Sequence, residues 1–400
     1  MQLDLPRLLR ESLGPDAPPR VGVALSGGGD STALLHAALL AGFAVEAATV
    51  DHGLRPGSAQ EAEAVGRDCA ALGVPHAVLR WDGAAAVGNV MDAGRRARLR
   101  LIGAWARGRG LDAVLLGHTA DDQAETFLMR IAREAGLEGL SGMRPRFAAE
   151  GVIWHRPLLS VPRAGLRDWL RARGIGWVED PSNDNPRFGR IRARQAMAAL
   201  RPAGVTPETI GAVIGHLAAA DAALNRLLSD WGAEHVTQQG GEIRIHAGAF
   251  AGLDPELRRR LLNAALVWVS GAEYPPRAAK LAALLAAPRD ATLHGCRLRV
   301  TRGQIVVARE LRAVAGLRVP VGQDWDGWRI EGPPGEVVAL GAGIAECPAW
   351  RDTGLSRAAV LASPAVWAGN RLLAAPVAGR PEGWKTLNRR GSFAFAGLCR

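Results

Sequence analysis

One stretch limits what this chain can fold into more than any other. The apolar run Val21 to Leu25 is followed by Ser26-Gly27-Gly28-Gly29-Asp30-Ser31, and that in turn by a second apolar run, Thr32 to Leu40. The first run reads as a buried strand and the second as a helix, so the glycines form a strand-to-helix turn. Glycine allows the backbone to turn sharply and to present successive N–H groups, and the helix adds its positive N-terminal end at the same place. Such a turn binds phosphate. The consensus GxxxxGK[ST] is absent, and no lysine follows the glycines, so a different phosphate chemistry is expected. A plain capped turn, with Asp30 and Ser31 as N-caps, is the alternative.

The same grammar recurs downstream. Val45 to Val50, His76 to Arg80 and Ala113 to Gly117 read as strands; Ser58 to Leu72, Met91 to Arg109 and Asp121 to Ala135 read as helices. Alternating strands and helices predict an α/β fold with a doubly wound parallel sheet, whose ligands lie beyond the carboxyl ends of the strands. The glycine turn, Asp51-His52 and Gly117-His118 all fall at such ends. Asp121, Asp122 and Glu125 follow at helical spacing, so Glu125 shares a face with both aspartates, either as caps or as groups that bind a cation or take a proton. Arg95 and Arg98 share one helix face, and Arg163, Arg167 and Arg171 recur at steps of four. Arg187, Arg190, Arg192 and Arg194 add a second basic cluster. Both groups suit an RNA backbone, or form solvated faces.

Charge distribution supports this division. The chain of 400 residues has a formal charge of +10, yet residues 1–150 sum to −2, while residues 151–200 sum to +5 and 351–400 to +6. An anionic partner is therefore expected to meet the later segments. Cys69, Cys296, Cys347 and Cys399 are scattered, without a CxxC pair, which fits a reduced, cytoplasmic setting. No signal peptide or spanning helix is expected, since Leu34 to Val50 is interrupted by His36, Gly42 and Glu46.

Ser26 to Ser31 resembles the SGGxDS loop of the N-type ATP pyrophosphatases. With Asp51-His52-Gly53-Leu54-Arg55, Gly117 to Thr126 and Glu179-Asp180-Pro181-Ser182-Asn183, in this order, the chain resembles the tRNA(Ile)-lysidine synthase family. The resemblance implies a PP-loop domain over residues 1–200, a mainly helical substrate-binding domain over 201–310 and a small C-terminal α+β or β-rich domain over 311–400. It implies ATP and Mg2+, with isoleucine tRNA bearing a CAU anticodon and L-lysine as partners, no membrane, and self-association as a homodimer left open. By matching position, Ser26, Gly27, Gly28, Gly29, Asp30, Ser31, Asp51 and His52 would bind ATP. Asp30 would also sit with Mg2+, and Asp30, Asp122 and Glu125 would be catalytic. His118, Asp121, Arg95, Arg98, Arg163, Arg167, Arg171, Arg190, Arg192 and Arg194 are candidates for lysine or tRNA.

The implied reaction adenylates the C2 oxygen of the wobble cytidine and then replaces AMP with the lysine side-chain amine. The alternatives are a tRNA thiolase, a small-molecule amide ligase, or an RNA-binding protein with a vestigial nucleotide fold. A thiolase would ask for a reactive cysteine pair, and an amide ligase would not need the arginine stripe.

Overall fold

The computed structural model describes residues 3–53, 57–81, 90–178, 189–286, 289–301 and 303–393. Leu54, Arg55, Asn89, the segment Glu179 to Asn183, Arg187 and Cys399 lie outside them. The chain divides into two compact units, the described residues up to 221 and those from 222 on.

The first unit opens with α1 (Leu5–Leu13), capped by the Asp4 carboxylate, which accepts from the Arg7 N–H. Then come β1 (Arg20–Ala24), α2 (Gly29–Leu40), β2 (Ala44–Asp51), α3 (Ser58–Ala71), β3 (His76–Arg80), α4 (Val90–Gly108) and β4 (Ala113–Leu115). They are followed by α5 (Ala120–Ile131), α6 (Leu137–Leu140), β5 (Arg146–Ala149), β6 (Val152–His155), α7 (Arg163–Arg171) and α8 (Gly189–Leu200). The sheet order is β3-β2-β1-β4-β6-β5. Five strands are parallel, the four expected and β6 besides, and the sixth is not: β5 pairs antiparallel with β6, with Phe147 opposite Trp154. Both strands are four residues long and joined by a tight turn, and a run so short carries almost no alternation for a sequence reading to detect.

Helices cover both faces. On one, Leu5 and Leu9 of α1, Leu34 and Leu35 of α2, and Leu166 and Leu170 of α7 pack on Val21, Val23 and Leu115. On the other, Ile102 and Ala106 of α4 meet Val114 and the fully buried Trp154. At the amino ends of the strands, Glu46 is closed off by Arg20 and Arg109, each 2.7 Å away. The carboxyl ends hold the residues of interest, and the chain order reverses between β1 and β4, where a doubly wound sheet opens its crevice.

A long helix, α9 (Pro207–His235), runs into the second unit. There a five-stranded antiparallel sheet, in the order Val236–Gln239, Glu242–His246, Gln304–Arg309, Cys296–Thr301, Ala291–Leu293, packs on the helix Pro255–Ser270. The expected helices and the hairpin before Glu310 are present, but the rest of the sheet was not anticipated. Its other strands have three to five residues each. Two smaller sheets follow within residues 319–388 around Trp325, Trp328 and Val366. Among the described residues, no helix is long and apolar enough to cross a membrane.

Candidate active site

After β1 the chain makes its turn through Gly27, whose φ is +81°, a conformation that favours glycine. A side chain there would also place its Cβ 2.7 Å from Val65 Cγ2. The Val178 N–H donates to Gly27 O at 2.9 Å, tying the segment after α7 to the turn. Gly28 occupies the N-cap of α2 and makes no side-chain cap. Asp30 and Ser31 lie inside the first turn, so the plain capping alternative does not describe them. The Ser31 hydroxyl donates to Gly28 O at 3.0 Å and accepts from the Ser26 N–H at 3.2 Å, which holds the turn closed on itself. The first N–H groups of α2 carry no side-chain cap, the arrangement that receives phosphate oxygens.

Facing this turn is the end of β4. A Cβ on Gly117 would fall 3.1 Å from Ser31 N and 3.2 Å from the Asp30 carbonyl. A residue without a side chain lets the end of β4 approach the first turn of α2 without displacing it. Thr119 then caps α5: Asp122 Oδ2 accepts from the Thr119 N–H and hydroxyl, both at 2.9 Å, and the Thr119 oxygen accepts from the Asp122 N–H. Asp121 has a different task. Its Oδ2 accepts from the Arg163 N–H at 2.7 Å, at the head of α7.

Arg163 joins the three catalytic candidates. Its guanidinium lies 3.0 Å from Asp30 Oδ2, 3.2 Å from Asp122 Oδ1 and 3.5 Å from Glu125 Oε1. Burial opposes its charge, but Asp122 and Asp30 outweigh that and push its pKa up. From α8, Arg194 Nε reaches Glu125 Oε1 at 2.6 Å, and Arg190 lies 3.5 Å from both Asp122 and Glu125. Burial also works against ionised Asp122, yet Arg190, Arg163 and the Thr119 N–H hold its pKa below the usual carboxylate range. Asp30 goes the other way: burial raises its pKa, and the opposing pull of Arg163 does not cancel the effect. Glu125, 2% exposed in its side chain, keeps one oxygen, Oε2, without a hydrogen bond among the described residues.

The arginine stripe of α7 thus divides. Arg163 turns inward, whereas Arg171 pairs with Asp168 at 2.8 Å and is 61% exposed in its side chain. Arg167 is half-buried, and Arg192 is exposed, about half a turn round α8 from the face that Arg190 and Arg194 share. At the end of β2, the Asp51 carboxylate accepts from the Ser58 hydroxyl and the Gly53 N–H, which lower its pKa. His52 Nε2 lies 3.2 Å from an Arg98 nitrogen and packs edge-on to Trp81. Burial, then the charge of Arg98, lowers the His52 pKa. Arg95 is exposed on α4.

Gly117 was read from the sequence as part of a strand end, not for the close approach it allows. Two contributors were not singled out. Trp177 is one, its indole against Gly29 at the start of α2. Arg156, at the carboxyl end of β6, is the other. The strand before it has four residues, too short a pattern to place Arg156 at a crevice edge from the sequence.

The glycine turn with its open helix end, backed by a carboxylate cluster on a mostly parallel sheet, defines a nucleotide-handling domain, and residues 1–200 match the family model described as a PP-loop domain. The chain is 46% identical over 411 aligned residues to tRNA(Ile)-lysidine synthase from Ruegeria pomeroyi, covering 98% of this chain and 96% of that one. It is 42% identical over 309 residues to tRNA(Ile)-lysidine synthase from Hyphomonas neptunium, covering 72% and 81%. Among solved structures, it matches the U34-tRNA thiolase NcsA from Methanococcus maripaludis with its 4Fe-4S cluster, at 16% identity and a TM-score of 0.45, covering 54% of this chain and 78% of that one. The chain belongs to the tRNA(Ile)-lysidine synthase family.

Proposed function

We propose that this chain ligates L-lysine to C2 of the wobble cytidine of isoleucine tRNA with a CAU anticodon, consuming ATP and releasing pyrophosphate and AMP. The observation that carries the reading is the pairing of an uncapped α2 N-terminus with the Asp30, Asp122 and Glu125 cluster across a single crevice. In the first step the cytidine C2 oxygen attacks the α-phosphorus and the bond to the β-phosphate breaks. The Ser26 to Ser31 amides hold the departing charge. In the second step the lysine nitrogen attacks C2, the C2–O bond breaks and AMP leaves.

A lysine amine is almost wholly protonated at neutral pH, so the second step needs a proton acceptor. Asp122 and Glu125 attract the ammonium. Glu125 Oε2 is the oxygen not engaged in a hydrogen bond, and it takes the proton. Asp122 has both oxygens engaged, Oδ2 by the Thr119 N–H and hydroxyl and Oδ1 by Arg163.

Asp30 would hold Mg2+. Among the described residues no group of three or more His, Cys, Asp or Glu side chains forms a cage, and that fits an ion held by one carboxylate and the substrate's phosphates. When bound, the ion would neutralise the leaving pyrophosphate. A cytoplasmic setting accords with Cys69, Cys296 and Cys347, all buried and unpaired.

The test is a turnover assay with ATP, Mg2+, unmodified tRNA and labelled lysine. Pyrophosphate release should require the tRNA, and AMP release should require lysine as well. Pyrophosphate release with a small carboxylate and ammonia, without RNA, would replace this reading with an amide ligase.

A further inference from the structure

Arg156 carries a charge that the protein does not neutralise. Its residue is 6% exposed, yet Nη1 donates to a backbone oxygen, Arg144 O at 2.8 Å, and the guanidinium lies 4.2 Å from the Phe147 ring centre. Its Nε is buried without a hydrogen bond, and no carboxylate pairs with it among the described residues. The nearby charges have the same sign. Burial, then Arg95 and Arg130, depress its pKa to about 10. Leaving a charge buried and unpaired is costly, so such a group usually marks a place where something else supplies the counter-charge.

Next to it stands His118, at the end of the neighbouring strand. Its Nδ1 is also buried and unpartnered. Burial, then Arg156, depress its pKa to about 3, with Arg190 and Arg98 acting in the same sense and Asp122 against them. The ring is neutral at working pH and has an N–H to donate. Two buried, unsatisfied polar groups at adjacent strand ends, ringed by Arg95, Arg98 and Arg190, form a built site for one anion.

We propose that Arg156 and His118, with Arg95 at the rim, bind one phosphodiester of the RNA beside the base that is modified. The proposal rests on the reading that the substrate is RNA. The triphosphate site follows β1, whereas Arg156 follows β6, two strands away in the order β1-β4-β6 and so roughly 10 Å across the sheet. One guanidinium and one neutral imidazole suit the single charge of a diester.

The experiment measures binding without turnover. An anticodon stem-loop RNA is titrated by fluorescence anisotropy against wild type, Arg156→Gln and Arg156→Lys over a salt series, and ATP is titrated in parallel. Expected are RNA binding weakened roughly 10-fold by Arg156→Gln, partial retention in Arg156→Lys, and a salt slope smaller by about 1, as for loss of one phosphate contact. ATP affinity should stay within about twofold, since its phosphates bind the helix end instead. A single methylphosphonate flanking the wobble base should weaken wild type and add nothing to Arg156→Gln. Unchanged RNA binding, or a loss of ATP affinity in its place, would overturn the proposal. Should Arg156→Gln melt early, the exposed Arg95→Gln takes its place, with a smaller loss of RNA binding and the same reduced slope expected; an unchanged slope overturns it. Failure of the ligation reading would show separately, as AMP release that does not depend on lysine.

Discussion

Arg163 Nε lies 3.0 Å from Asp30 Oδ2 although 133 positions separate them in the chain. The same guanidinium spans Asp122 and Glu125, so one internal cation holds together the carboxylates proposed for the reaction. Removing it as Arg163→Met should leave those buried charges facing one another. A loss of about 3–5 kcal/mol in urea unfolding is expected, the usual result of breaking a buried ion pair from one side. Arg163→Lys should restore only part of it, because an ammonium cannot reproduce the planar fork. An unchanged midpoint for Arg163→Met would mean the cluster is not held by that residue.

The three acids of α5 and its surroundings should separate by assay. Asp30→Ala is expected to lower pyrophosphate release by about 100-fold or more, as loss of a group acting on the leaving charge does, with RNA binding nearly intact. Glu125→Gln should still release pyrophosphate but slow lysine-dependent AMP release by roughly 100-fold, the scale of lost general base catalysis. Asp121→Ala should cost about 1 kcal/mol of stability, as a lost helix cap does, and leave both releases close to wild type. Equal loss of both releases in Glu125→Gln would remove its assignment to the second step.

Gly117→Ala tests the close approach of β4 and α2. The added carbon would meet Ser31 N at 3.1 Å, backbone that cannot rotate aside, so the first turn of α2 must shift. Overpacking of this kind costs about 1–3 kcal/mol. The Michaelis constant for ATP is expected to rise, while Gly108→Ala, which meets nothing within 4 Å, leaves it unchanged.

Stability should depend on pH through His118. Its folded pKa of about 3 lies below the ordinary value, so between pH 6.5 and 3 the unfolded chain binds more protons. Stability then falls as pH drops through 6.5, by up to about 1.4 kcal/mol per pH unit. Asp30, raised by burial, has the opposite sign near its own titration, while His36, His52, His76 and His155, lowered by burial, act in the same sense as His118, so the His118 share is read as the difference from its variant. His118→Asn should flatten the slope at about pH 5–7, as followed by urea midpoints across that range.

Local pattern accounts for what was legible beforehand. The glycine turn and the strand and helix alternation are written in contiguous residues; α5 begins one residue before its expected start, and α2 three residues before, inside the glycine turn. Capping was one of the two readings open for Asp122 from the sequence, and the structure shows it doing both, capping through Thr119 and meeting Arg163. Arg163 looked like one member of a surface stripe because spacing gives the face of a helix and not what covers it. Its partners come from two other helices. Arg156 follows a strand of four residues, too short to announce a buried edge, and its isolation from any carboxylate is a property of three-dimensional neighbours alone.

Asp122 divides its two oxygens between different duties: Oδ2 closes the start of α5, while Oδ1 faces Arg163. A mutational scan at this position would therefore confuse two phenotypes, since asparagine could preserve the fold yet blunt the chemistry, and alanine would damage both together. Glutamate, longer by one methylene, would place its charge in the crevice only by letting go of the threonine. Evolutionary drift at 122 is thus confined from two directions at once, by a helix that must begin there and by a cation that must be met.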